Sequence, residues 1–413
     1  MSDDPDPPRL VVVTDVDVSP SSRGAGRTLV NLFARWPADR LLIVTMAAGQ
    51  PARDEHHHRV RDAGGRMRGR FTARLRPVVG DMEAWWAGVR PLPRVKEVAR
   101  FEPELLLVVP TTSAALVLGQ RFAQRVRCPM AAYFMDAWMR TAVAAWPGGN
   151  AVRSSADLLR AACAWLVISP YLEDQLAELA GARRPAMVVH NPVVLGPEPR
   201  ALAAPRRGPF RLTYAGSIWP MHFDAIAVVA ASVERLRSRG TDVRLVLHTD
   251  RYGWESHAED WSGWGVEYSG LVPFKEFRER LGEYDLLLVA SSFEAEWAPV
   301  TRSSLQTKVT DYMAAGRPIL SCGPADGACT RYLRDRECAW ILDSPNPVQA
   351  DRAIEQCVAG RAAGQLLARR AYDFVEREHE AGAVTSRLYR FLGGLAARRT
   401  RARGPGGLTT STR

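Results

Sequence analysis

Several absences bound this chain before any motif is read. Its six cysteines, Cys128, Cys163, Cys322, Cys329, Cys338 and Cys357, form no C-x-x-C pair, and no Cys/His spacing suits a zinc site. A chain of 413 residues with 46% hydrophobic content needs no disulfide staples. Reduced thiols and a cytoplasmic home are expected, with the inner face of the membrane as an alternative station. The acidic, Pro-rich start, Met1 to Pro8, lacks the charged-then-apolar order of a secretion signal. Apolar runs such as Leu286 to Ala290 are too short to span a bilayer. Short internal repeats are missing, and so is any recognisable nucleic-acid reading module. The basic excess, 55 Lys and Arg against 45 Asp and Glu, is mostly scattered Arg. Such an excess attracts phosphorylated or anionic partners without naming one, and nucleic acid is not expected.

What is present is a long alternation of apolar strands and amphipathic helices. Leu10 to Thr14, Leu41 to Met46, Leu105 to Val109, Pro129 to Phe134, Ala164 to Ser169 and Met187 to His190 read as strands of a first array. Continuous apolar runs of this length suit parallel strands buried on both faces. A Pro-rich stretch over 196–209 has little periodicity and reads as a linker. A second array follows, with strands at Phe210 to Ala215, Val243 to His248, Val266 to Ser269, Leu286 to Ala290, Ile319 to Ser321 and Ala339 to Leu342. Helices are expected near Val348 to Ala359 and, unbroken, over Gln365 to Leu392, then a basic, disordered tail at 398–413. The expected organisation is a first α/β domain over 1–195, a second over 210–375, and a terminal helix whose last part, 376–397, crosses back to the first. Two Rossmann-like domains facing a central cleft would result.

The stretch Ser303 to Leu320 draws the most chemistry together. Small hydroxyl residues and Thr307 lead into Lys308, then a short helical segment with Val309, Met313 and Ala314 at helical spacing. Gly316 can cap that segment, and Pro318 cannot continue it. Hydroxyls, backbone N–H groups and one ammonium at a helix start suit a phosphate dianion. Asp311 lies three residues past Lys308, where a carboxylate could hold ribose hydroxyls. The plainer reading is an ordinary αβ unit with a surface Lys and Asp.

In the first array, Gly24 and Gly26 lie in the loop after the first strand, which is neither G-x-G-x-x-G nor a Walker loop. They mark either the first turn of a Rossmann-type half or simply a tight backbone turn. Asp136 follows the strand ending at Phe134, where α/β sheets hold their ligands, and a helix N-cap is its other reading. His56, His57 and His58 are consecutive and so a poor chelate; a surface loop is expected. Arg66, Arg68, Arg70, Arg74 and Arg76, with Phe71 and Leu75 between them, could meet anionic lipid or a phosphorylated acceptor, or form a solvated basic face. Trp138, Trp146, Trp219 and Trp297 fall in loops, where an indole either stacks on a sugar or packs in a core.

With these residues in view, the chain resembles the retaining, GT-B-fold glycosyltransferases, the large family that includes sucrose synthase and many bacterial sugar transferases. The resemblance is stronger after residue 209. It rests on Tyr214-Ala215-Gly216-Ser217, on Tyr268-Ser269-Gly270-Leu271-Val272, on Asp285 to Val289 with Ser291-Ser292-Phe293-Glu294, and on Thr307-Lys308-Val309-Thr310-Asp311-Tyr312-Met313-Ala314-Ala315-Gly316-Arg317-Pro318. Upstream, the Gly24/Gly26 loop, which the resemblance puts on the acceptor side, Ile168 to Leu172 and His190-Asn191-Pro192-Val193 keep the acceptor-domain order.

The resemblance implies a hexosyltransferase-type enzyme using a nucleotide-diphosphate sugar as donor substrate and no cofactor. Lys308 would bind the diphosphate with Thr307 beside it, and Asp311 would hold the ribose in place of the family's second Glu. Leu271 and Val272 would contact the base, and Gly216 and Ser217 would let the chain approach the phosphates. Glu294 would be the first acid, near the donor sugar, and Asp136 would stand at the catalytic crevice. The common Glu-x7-Glu spacing is not kept, and Trp219-Pro220-Met221-His222 replaces the basic residue expected after the first glycine. His222 or Arg302 would then have to supply a second cation. No Asp-x-Asp motif is read for a bridging divalent ion, so metal independence is expected. A nucleotide-sugar epimerase and a non-catalytic sugar-nucleotide-binding relative are the alternatives on this fold. The acceptor could be a glycan, a lipid-linked sugar or a small molecule.

Overall fold

A computed structural model describes residues 6–19, 22, 24–47, 52–54, 56–64, 76–137, 150–195, 208–273 and 276–402. The chain divides into two compact units, Met1–Val189 with Gly382–Arg413, and His190–Ala381. Trp138, Trp146, Arg66, Arg68, Arg70, Arg74, Phe71, Leu75, most of the expected linker and most of the expected tail lie outside the described residues.

The first unit is built on strands β1 (Leu10–Thr14), β2 (Leu41–Thr45), β3 (Arg59–Asp62), β4 (Leu105–Val109), β5 (Met130–Phe134), β6 (Ala164–Val167) and β7 (Ala186–Val188). They form one parallel sheet in the order β3-β2-β1-β4-β5-β6-β7. β1, β2, β4, β5 and β6 are buried along their whole length, as a sheet covered on both faces requires. Two threonines staple the carboxyl ends of the central strands. Thr14 Oγ1 donates to Val109 O at 2.8 Å, and Thr45 Oγ1 donates to Val16 O at 3.0 Å. β3 was not evident in the sequence because it is a polar edge strand with only Val60 buried. Three helices also go beyond the sequence reading: Arg76–Val89, Val95–Phe101 and Asn150–Ala161.

The second unit carries β8 (Phe210–Ala215), β9 (Val243–His248), β10 (Glu267–Tyr268), β11 (Leu286–Ala290), β12 (Ile319–Cys322) and β13 (Trp340–Leu342). Its parallel sheet runs β10-β9-β8-β11-β12-β13. The strand order therefore reverses between β8 and β11. The Trp-rich segment after β9 is two short helices, Arg251–Glu255 and Ala258–Gly263, with Trp261 fully buried among Trp254, Trp264, Phe223 and His257.

The unbroken helix expected over Gln365 to Leu392 is two helices, Arg361–Glu378 and Ala381–Ala402. Competing hydrogen bonds end the first. His379 O accepts from Val193 N at 2.8 Å, Ala381 N donates to Val193 O at 2.9 Å, and the His379 ring pairs with the Tyr332 hydroxyl. The second helix sends Val384, Leu388, Tyr389, Leu392 and Leu395 into the core of the first unit. All six cysteines are free.

The histidine triplet is not simply a surface loop. His58 is fully buried, with Nδ1 2.8 Å from the Asp54 carboxylate and Nε2 2.8 Å from Trp36 O. Both ring nitrogens are engaged, so its role is structural. Burial alone would push the Asp54 carboxyl up, but the hydrogen bonds and charge of His58 outweigh it and hold it below its ordinary value. A depressed carboxyl stabilises the fold at neutral pH and loses that contribution as pH falls through the acid range. Asp54→Ala leaves buried donors unpaired, and urea denaturation at pH 7 is expected to show a loss of about 2–3 kcal/mol that shrinks toward acid pH.

Candidate functional site

The reversal of strand order in the second sheet puts the loops after β8 and β11 side by side, the position where open α/β sheets bind ligands. β8 ends in Ala215, and Gly216 follows with φ +136°, a conformation that favours glycine. Its missing side chain has a second consequence. A Cβ there would lie 2.9 Å from the Lys308 Nζ, so the bare backbone makes room for that ammonium.

Lys308 opens the helix Lys308–Ala314, and three consecutive side chains of that helix fix it in place. The Tyr312 hydroxyl accepts from Ala215 N at 2.9 Å. Thr310 Oγ1 donates to Asn191 O at 3.0 Å, and the Asp311 carboxylate accepts from Asn191 Nδ2 at 3.1 Å. Thr307, just before the helix, offers its carbonyl to Asn191 Nδ2 at 3.4 Å. The lysine is thus positioned by contacts that do not involve its own head group.

That head group stands 3.6 Å over the centre of the Tyr214 ring, a cation–π contact. The Nζ is buried and meets no hydrogen-bond acceptor among the described residues. Burial pushes its pKa down to about 7. Ser304 Oγ and Gln306 Oε1 are also buried without a partner, so three polar atoms within the five residues 304–308 are unsatisfied. Gln306 is otherwise anchored, its Nε2 donating to Ala290 O at 2.5 Å and to Ser291 Oγ at 3.2 Å at the end of β11. Buried polar groups are normally paired, so three exceptions this close in sequence, one of them an ammonium, make this stretch the candidate site.

The other expected site residues fall into distinct settings. His222 cannot supply the second cation foreseen for it. It is buried in the first turn of the helix Pro220–Ser238, and burial, then the nearby Lys308 charge, push its pKa down to about 3. Its neutral Nδ1 lies 3.1 Å from the Tyr214 hydroxyl and accepts from Trp219 N at 3.4 Å, so it braces the tyrosine beneath the lysine. Arg302 is exposed and paired with Asp326 at 2.6 Å. Ser217 donates to Asp250 Oδ2 at 2.8 Å, while Asp250 Oδ1 caps the helix Arg251–Glu255. Leu271 and Val272 are half-buried after Gly270, whose carbonyl meets His248 Nδ1 at 3.2 Å. Asp311 is 6% exposed and engaged by Asn191, so it is not the surface carboxylate of the plainer reading.

Glu294 is exposed after β11, its backbone N–H held by Ser292 Oγ at 3.0 Å. Asp136, Gly24 and Gly26 belong to the first unit. Asp136 is half-buried just past β5. Gly24 has φ +52°, and a Cβ on Gly26 would lie 2.1 Å from Asp17 O, so these glycines are required by the turn itself. Asp15-Val16-Asp17 has Asp-x-Asp spacing, but Asp15 already accepts from Thr111 N at 2.8 Å and Thr112 Oγ1 at 2.6 Å, and Asp17 accepts from Ser19 N at 2.9 Å. Among the described residues no group of three His, Cys, Asp or Glu is placed to hold a metal ion.

Tyr214, Asn191, Tyr312, Asp250 and Gln306 were given no role from the sequence. Tyr214 was within reach: residues two apart on a strand share a face, so a tyrosine two before the glycine lies on the glycine's side. Asn191 could not be foreseen, because its partner Asp311 is 120 residues away.

Residues 209–359 match the family described as Glycosyl transferases group 1. No curated protein sequence matches the chain. Among solved structures, sucrose-phosphate synthase from Thermosynechococcus elongatus superposes with a TM-score of 0.70 at 14% identity, covering 94% of this chain and 99% of that one. Anabaena HepE in complex with UDP and glucose gives 0.66 at 14% identity, over 93% and 99%. The α,α-trehalose 6-phosphate synthase from Burkholderia multivorans gives 0.64 at 11% identity, over 97% and 99%. The fold is GT-B, as the sequence resemblance implied, and the match to group 1 glycosyl transferases lies within the second unit.

The buried ammonium makes a claim on the empty protein that can be checked. A lysine held near 7 rather than the ordinary 10.5 lets the unfolded chain bind the extra proton between those values. The stability of the unliganded protein should therefore rise with pH across that window. Lys308→Met is expected to raise stability at pH 7 by about 1–4 kcal/mol and to remove the rise, as read by denaturant titration at a series of pH values.

Proposed function

We propose that this chain, with its GT-B fold and group 1 glycosyl transferase domain, moves a sugar from a nucleoside-diphosphate donor to a hydroxyl acceptor. The observation that carries this is the buried Lys308 ammonium, without a hydrogen-bond acceptor among the described residues, beside Gly216 at the strand-order reversal. A diphosphate oxygen would give it the anionic partner it lacks, and the crowding at Gly216 keeps a side chain out of that space. Anabaena HepE has been solved with UDP and with UDP-glucose, which makes the uridine donor the first to test.

In this reading Lys308 stabilises the charge that grows on the leaving diphosphate as the anomeric C–O bond breaks. The nucleoside diphosphate departs with the bonding electron pair, the acceptor oxygen forms the new C–O bond, and the acceptor's proton passes to a departing phosphate oxygen. No strong enzyme base is needed for such a step, in keeping with retention of configuration. Lys308 supplies positive charge where other transferases use a divalent ion, in keeping with metal independence. Leu271 and Val272 serve the base, Asp311 with Asn191 the ribose, and Glu294 the donor sugar. Asp136 is the first-unit candidate for contact with the acceptor. The acceptor is an alcohol on a glycan, a lipid-linked sugar or a small molecule.

Thermal-shift titration with UDP, GDP and dTDP at pH 6.5 and 8.5 tests the assignment. One of these should raise the melting temperature, more strongly at the lower pH where the lysine is charged, and Lys308→Met should abolish the shift. In a product assay with the sugar donor that matches it, Lys308→Met is expected to lower kcat/KM by about 10²-fold or more. Equal shifts in both proteins would remove Lys308 from the donor site.

A further inference from the structure

We propose that His248 is a positioning residue of the donor site: it ties the turn at Gly270 to the turn at Gly216, so that the base and the diphosphate of one nucleotide are met at a fixed separation. The inference rests on the reading given above, in which Lys308 takes the diphosphate and Leu271 and Val272 the base.

The turn after β10 has little backbone to hold it. β10 is a two-residue edge strand, and its ladder with β9 gives out at Ser269, whose N–H donates to Leu247 O at 3.0 Å. Gly270 follows with φ +65°, a conformation that favours glycine, and a Cβ there would meet nothing within 4 Å. The turn thus needs glycine for its backbone angle and not for space. What takes over from the ladder is a side chain. His248, the last residue of β9, is 3% exposed, and its Nδ1 lies 3.2 Å from Gly270 O. The same residue reaches the other turn through its main chain, for His248 O accepts from Gly216 N at 2.8 Å. Ser217 and Asp250 add a second tie between the loops after β8 and β9. One residue therefore holds both the glycine beside Lys308 and the glycine before Leu271.

A third group fixes where the ring carries its hydrogen. Burial pushes the His248 pKa below its ordinary value, so the ring is neutral at pH 7. Gly270 O can only accept, so Nδ1 is the donor and Nε2 the acceptor. The Tyr284 hydroxyl, 2.5 Å from Nε2, supplies the matching donor. Tyr284 is 2% exposed and its ring lies under the Arg211 guanidinium at 4.9 Å. Without that hydroxyl, either Nε2 is buried and unpaired, or the hydrogen moves to it and two acceptors face each other at Gly270. Both outcomes loosen the turn.

Isothermal titration calorimetry of the full chain with UDP, GDP, dTDP and inorganic pyrophosphate provides the test. Pyrophosphate reports on the Lys308 end alone. For the nucleotide that binds most tightly, Tyr284→Phe and His248→Ala should each weaken binding by about tenfold, because a loosened turn must be ordered when the base arrives. Pyrophosphate binding should be unchanged. His248→Asn, whose amide N–H can stand in for that of Nδ1, should restore most of the loss. Tyr284→Phe removes one oxygen and keeps the ring, so the test survives if His248→Ala does not fold. Unaltered nucleotide binding in Tyr284→Phe and His248→Ala would overturn the role of His248 and leave the donor reading standing. Equal weakening of nucleotide and pyrophosphate would overturn it too, since general damage to the site explains that result. If the unsubstituted protein binds neither, the donor reading fails and this inference with it.

Discussion

An ammonium with no anion beside it among the described residues is the constraint on which the second unit turns. Moving a charged lysine out of water is costly, and a tyrosine face offsets only part of that cost. The surroundings are arranged to keep it there all the same. Gly216 gives it room, Tyr312 and Asn191 fix the helix that carries it, and neutral His222 braces the ring below it. Strain of this kind is commonly retained at sites that bind or react, where a ligand relieves it.

The neutrality of His222 belongs to the same arrangement. A second positive charge beside Lys308 would lower the pKa of both groups further and release a proton from one of them. By giving up its own proton the imidazole becomes an acceptor, and the lysine remains the cation of the pair. In the proposed site, anion binding falls to one residue with its charge conditioned by neighbours, in place of two basic residues in series.

Much of the architecture was legible in the sequence for a simple reason. Strands buried on both faces, such as Leu105–Val109 and Leu286–Ala290, appear as unbroken apolar runs. Lys308 and Asp311 were legible because they sit in a short helix with a glycine–proline ending. What escaped is held by partners distant in sequence. Asn191 reaches Asp311, His379 stops a helix by meeting Tyr332, and the His58 ring reaches the Trp36 carbonyl. Neither propensity nor periodicity registers such pairings. The polar edge strand Arg59–Asp62 escaped for the opposite reason, since it lacks the apolar run that would have announced it.

The route of the chain has a consequence for how the molecule is made. Val384, Leu388 and Leu392 complete a core otherwise furnished by residues up to Val189. The first unit therefore cannot complete its core until that helix has been synthesised, behind the whole of the second. The second unit, His190–Ala381, is contiguous and can close first. The two cores can thus be completed against the order of the numbering, and a nascent chain stalled before residue 384 would leave the first unit without Val384, Leu388 and Leu392.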